Sequence, residues 1–139
     1  MRIMGVDYGD ARTGVAISDL TGTIAGTAVV VPSRNREKAL ADIIRLAKEQ
    51  AVGEIAVGLP RNMDGSEGPR AALCREFGQA LEAESGIKVV MWDERRTTVE
   101  AHNILSAHNY HGKKRKDTVD AVAATLILEG YLAYRRNSG

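Results

Sequence analysis

Three acids stand where solvation alone does not account for them. Asp7 ends the apolar run carried by Ile3, Met4 and Val6; Glu94 follows the apolar run from Ile87 to Trp92, next to Asp93; Asp120 lies among Val119, Val122 and Ala123. Burying an unpaired carboxylate costs roughly several kcal/mol, a penalty that a cation or a basic side chain opposite removes. Acids converging on one point would repel each other without a cation, and oxygen donors suit Mg²⁺ or Mn²⁺. Such ions activate a water and stabilise the leaving oxygen of a phosphodiester. Gly9 and Gly14, which remove side-chain bulk beside Asp7, also suit a bound cation or phosphate. Local roles compete with this reading. Asp7 can cap its own turn, and Asp120 can cap its helix or pair with Arg95 or Arg96. Glu94 can pair with Arg12, or Asp93 can be the ligand while Glu94 is solvated. Spacing alone leaves these open.

The basic residues point to a polyanion. Lys113, Lys114, Arg115 and Lys116 form a run immediately before the segment that carries Asp120, and Arg95 and Arg96 directly follow Glu94. A basic run is often only a solvated segment, but beside a cluster of acids it suits a nucleic-acid backbone. The net charge of +1 provides no long-range attraction, so a polyanion has to be met locally. His102, His108 and His111 are too irregularly spaced for a zinc set. Cys74, the single cysteine, excludes an internal disulfide and suits helix packing in a reducing cytoplasm. No signal peptide or membrane-spanning run is legible, so a cytoplasmic protein without a membrane partner is expected. With 139 residues, 44% hydrophobic and 27% charged, residues 1–139 read as one globular domain.

The elements that must position these groups follow from periodicity. Ile3 to Val6, Val15 to Ser18 and Ile24 to Val31 read as a three-strand meander ended by Pro32. From Asn35, the spacing of Ala39, Leu40, Ile43, Ile44, Leu46 and Ala47 predicts an amphipathic helix, with Gly53 allowing the reversal. Glu54 to Leu59 is a short buried strand, parallel to the first by the crossover rule. The loop from Pro60 to Gly68 then lies at a strand's carboxyl end, where open α/β sheets place their sites. A second helix is predicted from Pro69 to Glu84, closed by Gly86, and a fifth strand from Ile87 to Trp92. A third helix is predicted from Thr97 or Thr98 to about His108 and a last one from about Asp117 to Arg135, giving the order βββαβαβαα.

Four ordered stretches, VDYGDARTGVAISD, VGLPRNMDGSEGPRA, WDERRTTVEA and KRKDTVDAVAATLILEGYL, closely resemble the bacterial YqgF family, also called RuvX-like, whose members are provisionally named pre-16S rRNA nucleases. The likeness runs nearly end to end. It implies an α/β, RNase H-like fold: a five-stranded mixed sheet, three antiparallel strands followed by two parallel ones, flanked by helices. By resemblance, Asp7, Glu94 and Asp120 are the catalytic carboxylates that bind Mg²⁺ or Mn²⁺. Asn62 is a polar contact in the substrate cleft, Asp117 is secondary, and no role transfers to Asp10 or Arg12. The activity implied is a nuclease acting on structured RNA, in maturation of the 5′ end of the 16S rRNA precursor. Arg95, Arg96 and the run Lys113 to Lys116 would hold the phosphate backbone. An rRNA precursor is favoured over DNA junctions as the partner. The alternatives are a Holliday junction resolvase, for which a homodimer would be needed, and a non-catalytic RNA-binding assembly factor. An actin-like nucleotide-binding module fits less well, because one compact domain lacks the second half that closes over ATP.

Overall fold

The computed structural model describes residues 1–94 and 112–138, and side chains in the second stretch from residue 119 to 137. The elements are β1 (Arg2–Asp7), β2 (Arg12–Ser18), β3 (Ala25–Pro32), α1 (Arg36–Glu49), β4 (Val52–Leu59), α2 (Pro69–Ser85), β5 (Lys88–Asp93) and α3 (Gly112–Ser138). The helix expected between Thr97 and His108 lies outside the described residues, as do Arg95, Arg96, His102, His108 and His111. Two expectations are corrected. The last helix begins at Gly112, so Lys113 to Lys116 belong to its first turns and not to a loop ahead of it. The reversal expected at Gly53 is made by Ala51, at φ 53°, while Gly53 lies inside β4.

The five strands form one sheet in the order β3-β2-β1-β4-β5. β1 is antiparallel to β2 and β2 to β3, whereas β4 runs parallel to both β1 and β5. The carboxyl ends of β1, β4 and β5 therefore share one edge. The mixed sheet and its strand order are those of the RNase H-like fold expected from the sequence.

Side chains alternate across a strand, so parity assigns each residue to a layer. Met4, Val6, Val15, Ile17, Ile55 and Val57 pack with Leu40, Ile43, Phe77 and Leu81 beneath α1 and α2. Ile3, Ala16, Ala56 and Trp92 face the other way, against Ala124, Ile127, Leu128 and Tyr131 of α3. Each large apolar side chain fully buried in these layers contributes about 1.5–3 kcal/mol. The α3 side is built of small strand residues, and that lets the helix backbone come close. A Cβ on Gly5 would lie 2.8 Å from the Ala124 carbonyl oxygen and from the Leu128 Cβ, and one on Gly14 would lie 2.0 Å from the Asp120 carbonyl oxygen. Gly14 therefore does not provide the clearance for a phosphate that its place beside Asp7 suggests; the chain's own helix fills that space. Gly9 is likewise occupied, since a Cβ there would meet the Arg12 carbonyl oxygen at 2.2 Å.

Local chemistry sets the element ends. The Asn35 side chain accepts from Lys38 N–H at 3.0 Å to cap α1, and Gly86, at φ 74°, closes α2 in the left-handed conformation. At the end of β4 away from the site, the buried Glu54 accepts the Tyr131 hydroxyl at 2.6 Å and lies 3.3 Å from Arg135 and 3.4 Å from Lys88. Those partners compensate its charge, and they anchor the distal half of α3 to the sheet.

Candidate carboxylate site at the strand ends

Strand parity brings the predicted acids together. Asp7 shares the parity of Ile3 and Gly5, and therefore the α3 face. Glu94, one residue beyond β5, shares the parity of Trp92, whereas Asp93 has the opposite parity. On α3, Asp120, Ala124 and Leu128 are spaced four apart and ride over Gly14 and Gly5. Because Gly14 is the registered partner of Asp7, the close approach of Asp120 to β2 brings it beside the end of β1.

Asp7 and Glu94 are hydrogen bonded side chain to side chain, the Glu94 carboxyl donating to the Asp7 carboxylate. Burial pushes Glu94 up to about 8, reinforced by the negative charge of Asp7 and by its own bond to Asp7. Burial raises Asp7 above the ordinary carboxylate range as well; the bond from Glu94 counters it, and the charge of Asp120 adds to it. Asp120 accepts a hydrogen bond from Arg12 Nε at 3.1 Å. The pairing of Arg12 weighed for Glu94 is thus found at Asp120, and the turn residue to which no role transferred by resemblance is part of the site.

The path between Asp7 and Glu94 crosses β4, where Gly58 has no side chain. A Cβ there would stand 2.8 Å from both Cγ and Cδ of Glu94 and 2.6 Å from Ile127 Cδ1. Those atoms belong to flexible side chains that can yield, so Gly58→Ala is expected to fold while pushing Glu94 off Asp7. A fall of about tenfold or more in turnover with a Tm within a few degrees of wild type is the expected result. Wild-type turnover in a folded Gly58→Ala protein would show that the Glu94 position is not critical.

Sequence reasoning missed Arg70. It donates to the Tyr8 carbonyl oxygen, pairs with Asp10 at 2.7 Å, and stacks its guanidinium 5.2 Å above the Tyr8 ring, which is itself stacked on Phe77 at 4.1 Å. Its charge lowers the pKa of both Asp7 and Glu94. The signal was available in the sequence: a cation in the first turn of a helix, where the dipole disfavours it, just after the loop at a strand's carboxyl end.

The loop after β4 is closed on itself. The Asn62 amide donates to Ser66 Oγ at 2.9 Å, and the Asp64 carboxylate accepts from Ser66 N–H and Oγ–H. Arg61 and Arg75 flank Glu67 at 3.5 and 2.7 Å, tying the loop to α2. Asn62 is thus a loop-closing residue in this arrangement. Cys74 is buried in α2, and burial raises its thiol to about 11, so it is a protonated packing residue.

The donor set passes a chemical test for a hard divalent cation. Asp7, Glu94 and Asp120 offer oxygen only, and the first two hold together through a shared proton, the compensation that a cation would replace. As they stand, the acids form a protonated pair and an arginine-paired carboxylate, and among the described residues no group of three His, Cys, Asp or Glu is arranged to hold a metal ion.

Comparisons with known proteins agree with this fold. A protein from Halothermothrix orenii with the provisional name of a pre-16S rRNA nuclease is 48% identical over 97% of this chain and 96% of its own. One of the same name from Carboxydothermus hydrogenoformans is 43% identical over 97% and 98%. Among solved structures, the Fowlpox virus resolvase in complex with substrate Holliday junction DNA aligns with a TM-score of 0.60 at 14% identity, over 97% of this chain and 99% of that one, a likeness of fold. Since residues 1–134 match the model of the family described as RuvX: Holliday junction resolvase, and full-length relatives share more than two-fifths of their residues with it, this chain belongs to the RuvX family.

Proposed function

We propose that this protein is a metal-dependent nuclease that hydrolyses phosphodiester bonds of structured RNA in the cytoplasm, in maturation of the 5′ end of the 16S rRNA precursor. The observation that carries the reading is the half-buried Asp7–Glu94 carboxyl pair at the carboxyl edge of an RNase H-like sheet, with Asp120 close enough to raise Asp7. Charged groups with strongly shifted pKa values in such a position are the signature of a functional site. The names of the relatives supply the substrate class.

Asp7, Glu94 and Asp120 would hold Mg²⁺ or Mn²⁺. When bound, the ion lowers the pKa of a water nucleophile and offsets charge on the leaving oxygen. The chain's own residues prepare the place. Asp7 is fixed by its strand, Glu94 reaches it across Gly58, and Arg12 holds the Asp120 carboxylate in orientation. The acids are partly buried, which lowers the local dielectric and strengthens charge interactions there. Arg95, Arg96, Lys113, Lys114, Arg115 and Lys116 would grip the phosphate backbone, with Asn62 at the cleft.

The test is cleavage of a 16S precursor RNA by wild-type protein and by Asp120→Asn, with Mg²⁺, with Mn²⁺ and with EDTA. Wild-type cleavage that EDTA abolishes, and that falls at least 100-fold in Asp120→Asn, is expected. Undiminished cleavage in EDTA would remove the metal from the reading.

The description of the family model favours a second reading, resolution of Holliday junctions. That activity needs a symmetric dimer to cut two strands. Cleavage of four-way DNA junctions by a dimer, with the linear precursor left intact, would replace the first reading by this one.

A further inference from the structure

We propose that Arg70 is a phosphate-binding residue of the carboxylate site, with Asp10 occupying its guanidinium until a backbone phosphate of the nucleic acid takes that place. The inference rests on the nuclease reading for the identity of the anion. It stands on four observations.

The guanidinium lies at the reacting edge, because it donates to the carbonyl of Tyr8, the residue that follows Asp7 at the end of β1. It is held there: the Tyr8 ring lies beneath it at 5.2 Å and is backed by Phe77, so the planar group is oriented before any ligand arrives. Its remaining partner is replaceable. Asp10 presents a carboxylate oxygen at 2.7 Å from a side chain that is 85% exposed, and so exposed a pair is weak and open to exchange. A phosphate oxygen is the like-for-like substitute, and the guanidinium fork matches it. Finally, α2 begins without an acidic residue in its first turn and without a side-chain cap at Gly68, and Glu67 just before it is engaged by Arg61 and Arg75, so among the described residues the exposed Asp10 is the acid paired with Arg70 at this helix start. A cation at a helix start opposed by the dipole is explained by an anion that meets both.

Asp10 thereby acts as a gatekeeper of charge. With phosphate absent it neutralises Arg70; with phosphate present it is released to solvent, and its negative charge disfavours weakly held anions.

The experiment measures binding and cleavage in parallel. A fluorescein-labelled RNA hairpin with a single-stranded 5′ extension is titrated in EDTA at several salt concentrations with wild type, Arg70→Gln, Arg70→Lys, Asp10→Asn and the Asp10→Asn/Arg70→Gln double variant. Glutamine removes the charge while keeping a neutral polar side chain, and a thermal melt of each variant reports whether the fold is intact. Expected are a roughly tenfold weaker affinity for Arg70→Gln, and a slope of log K against log salt reduced by about 0.7–0.9, the loss of one phosphate contact. Arg70→Lys recovers the slope and only part of the affinity. Asp10→Asn tightens binding about threefold when Arg70 is present and not in the double variant. In the cleavage arm, Arg70→Gln lowers kcat about 100-fold in Mg²⁺.

Unchanged affinity and salt slope in a folded Arg70→Gln protein would overturn the assignment and leave Arg70 as a tether of Tyr8. Equal tightening by Asp10→Asn with and without Arg70 would overturn the exchange. Failure of the nuclease reading looks different: wild type binds RNA in an Arg70-dependent manner but does not cleave it, or Asp7→Asn cleaves as wild type does. In that case Arg70 is upheld as a phosphate contact of a binding protein.

Discussion

Asp7→Asn is expected to reduce cleavage about a thousandfold or more while leaving the fold intact. Loss of an outer partner of a metal ligand typically costs about 10–100-fold, so loss of a proposed ligand such as Asp7 has to exceed that range. Asparagine has nearly the shape of aspartate and still accepts the Glu94 hydrogen bond, so packing at the end of β1 is preserved. What it removes is the charge between Glu94 and Asp120. Burial already disfavours that charge, so the substitution relieves a cost of the folded state, and a Tm equal to or above wild type is expected. Activity and stability should thus separate, which core substitutions do not do. The measurement is single-turnover cleavage of precursor RNA beside a thermal melt. Activity within tenfold of wild type in Asp7→Asn would place the chemistry elsewhere.

Glu94→Gln is expected to abolish the fall of stability with rising pH that Glu94 causes in the absence of metal. The ordinary value for a glutamate is about 4.5, and in the folded protein Glu94 titrates at about 8. Between those values the native state binds the proton that the unfolded chain has released, so stability falls as pH rises through that window. Glutamine carries no titrating proton and still donates to Asp7. At pH 4 the two proteins should therefore melt together, and at pH 8 in EDTA the variant should melt higher, by about 10 °C. A divalent cation should narrow the gap, because an ion that binds only the folded wild type stabilises it by mass action, and the variant lacks one ligand for it. Parallel pH profiles for the two proteins would show that Glu94 ionises normally and that the carboxyl pair is not formed.

Both predictions describe a site built at the expense of stability. Two carboxyls are placed side by side with little solvent and hold together through a shared proton, and the molecule is anchored elsewhere, through the Glu54, Tyr131 and Arg135 contacts and the two apolar layers. Such an arrangement is retained when function, and not folding, selects it.

Much of this was legible in the residues, and for definite reasons. Strand runs of Ile, Val and Ala with turn residues between them specify where the strands lie, because side-chain parity and turn chemistry are local properties. The acids were legible because a carboxylate at the end of an apolar run has to be satisfied by something outside that run. Short-range signals failed where a distant element supplied the partner. Gly14 looks like open space in the sequence and is filled by the backbone of Asp120, more than a hundred residues away. Arg12 is a candidate partner of Glu94 by sequence and is found bonded to Asp120. The basic run from Lys113 to Lys116 looks like a loop by charge and is the start of a helix, since Lys and Arg are good helix formers once the rest of α3 is anchored.

The sequence by itself determined the order of the described elements, the family and which carboxylates stand at element ends, because each of these rests on local periodicity or on matched motifs. Only the tertiary structure decided that Glu94 and not Asp93 shares a face with Asp7, that it reaches Asp7 over the bare backbone of Gly58, and that Arg70 joins the same edge. These facts depend on strand pairing and on the close approach of α3, which bring together groups far apart in the chain. Contacts of that kind are set by the packing of whole layers, and no window of neighbouring residues contains them.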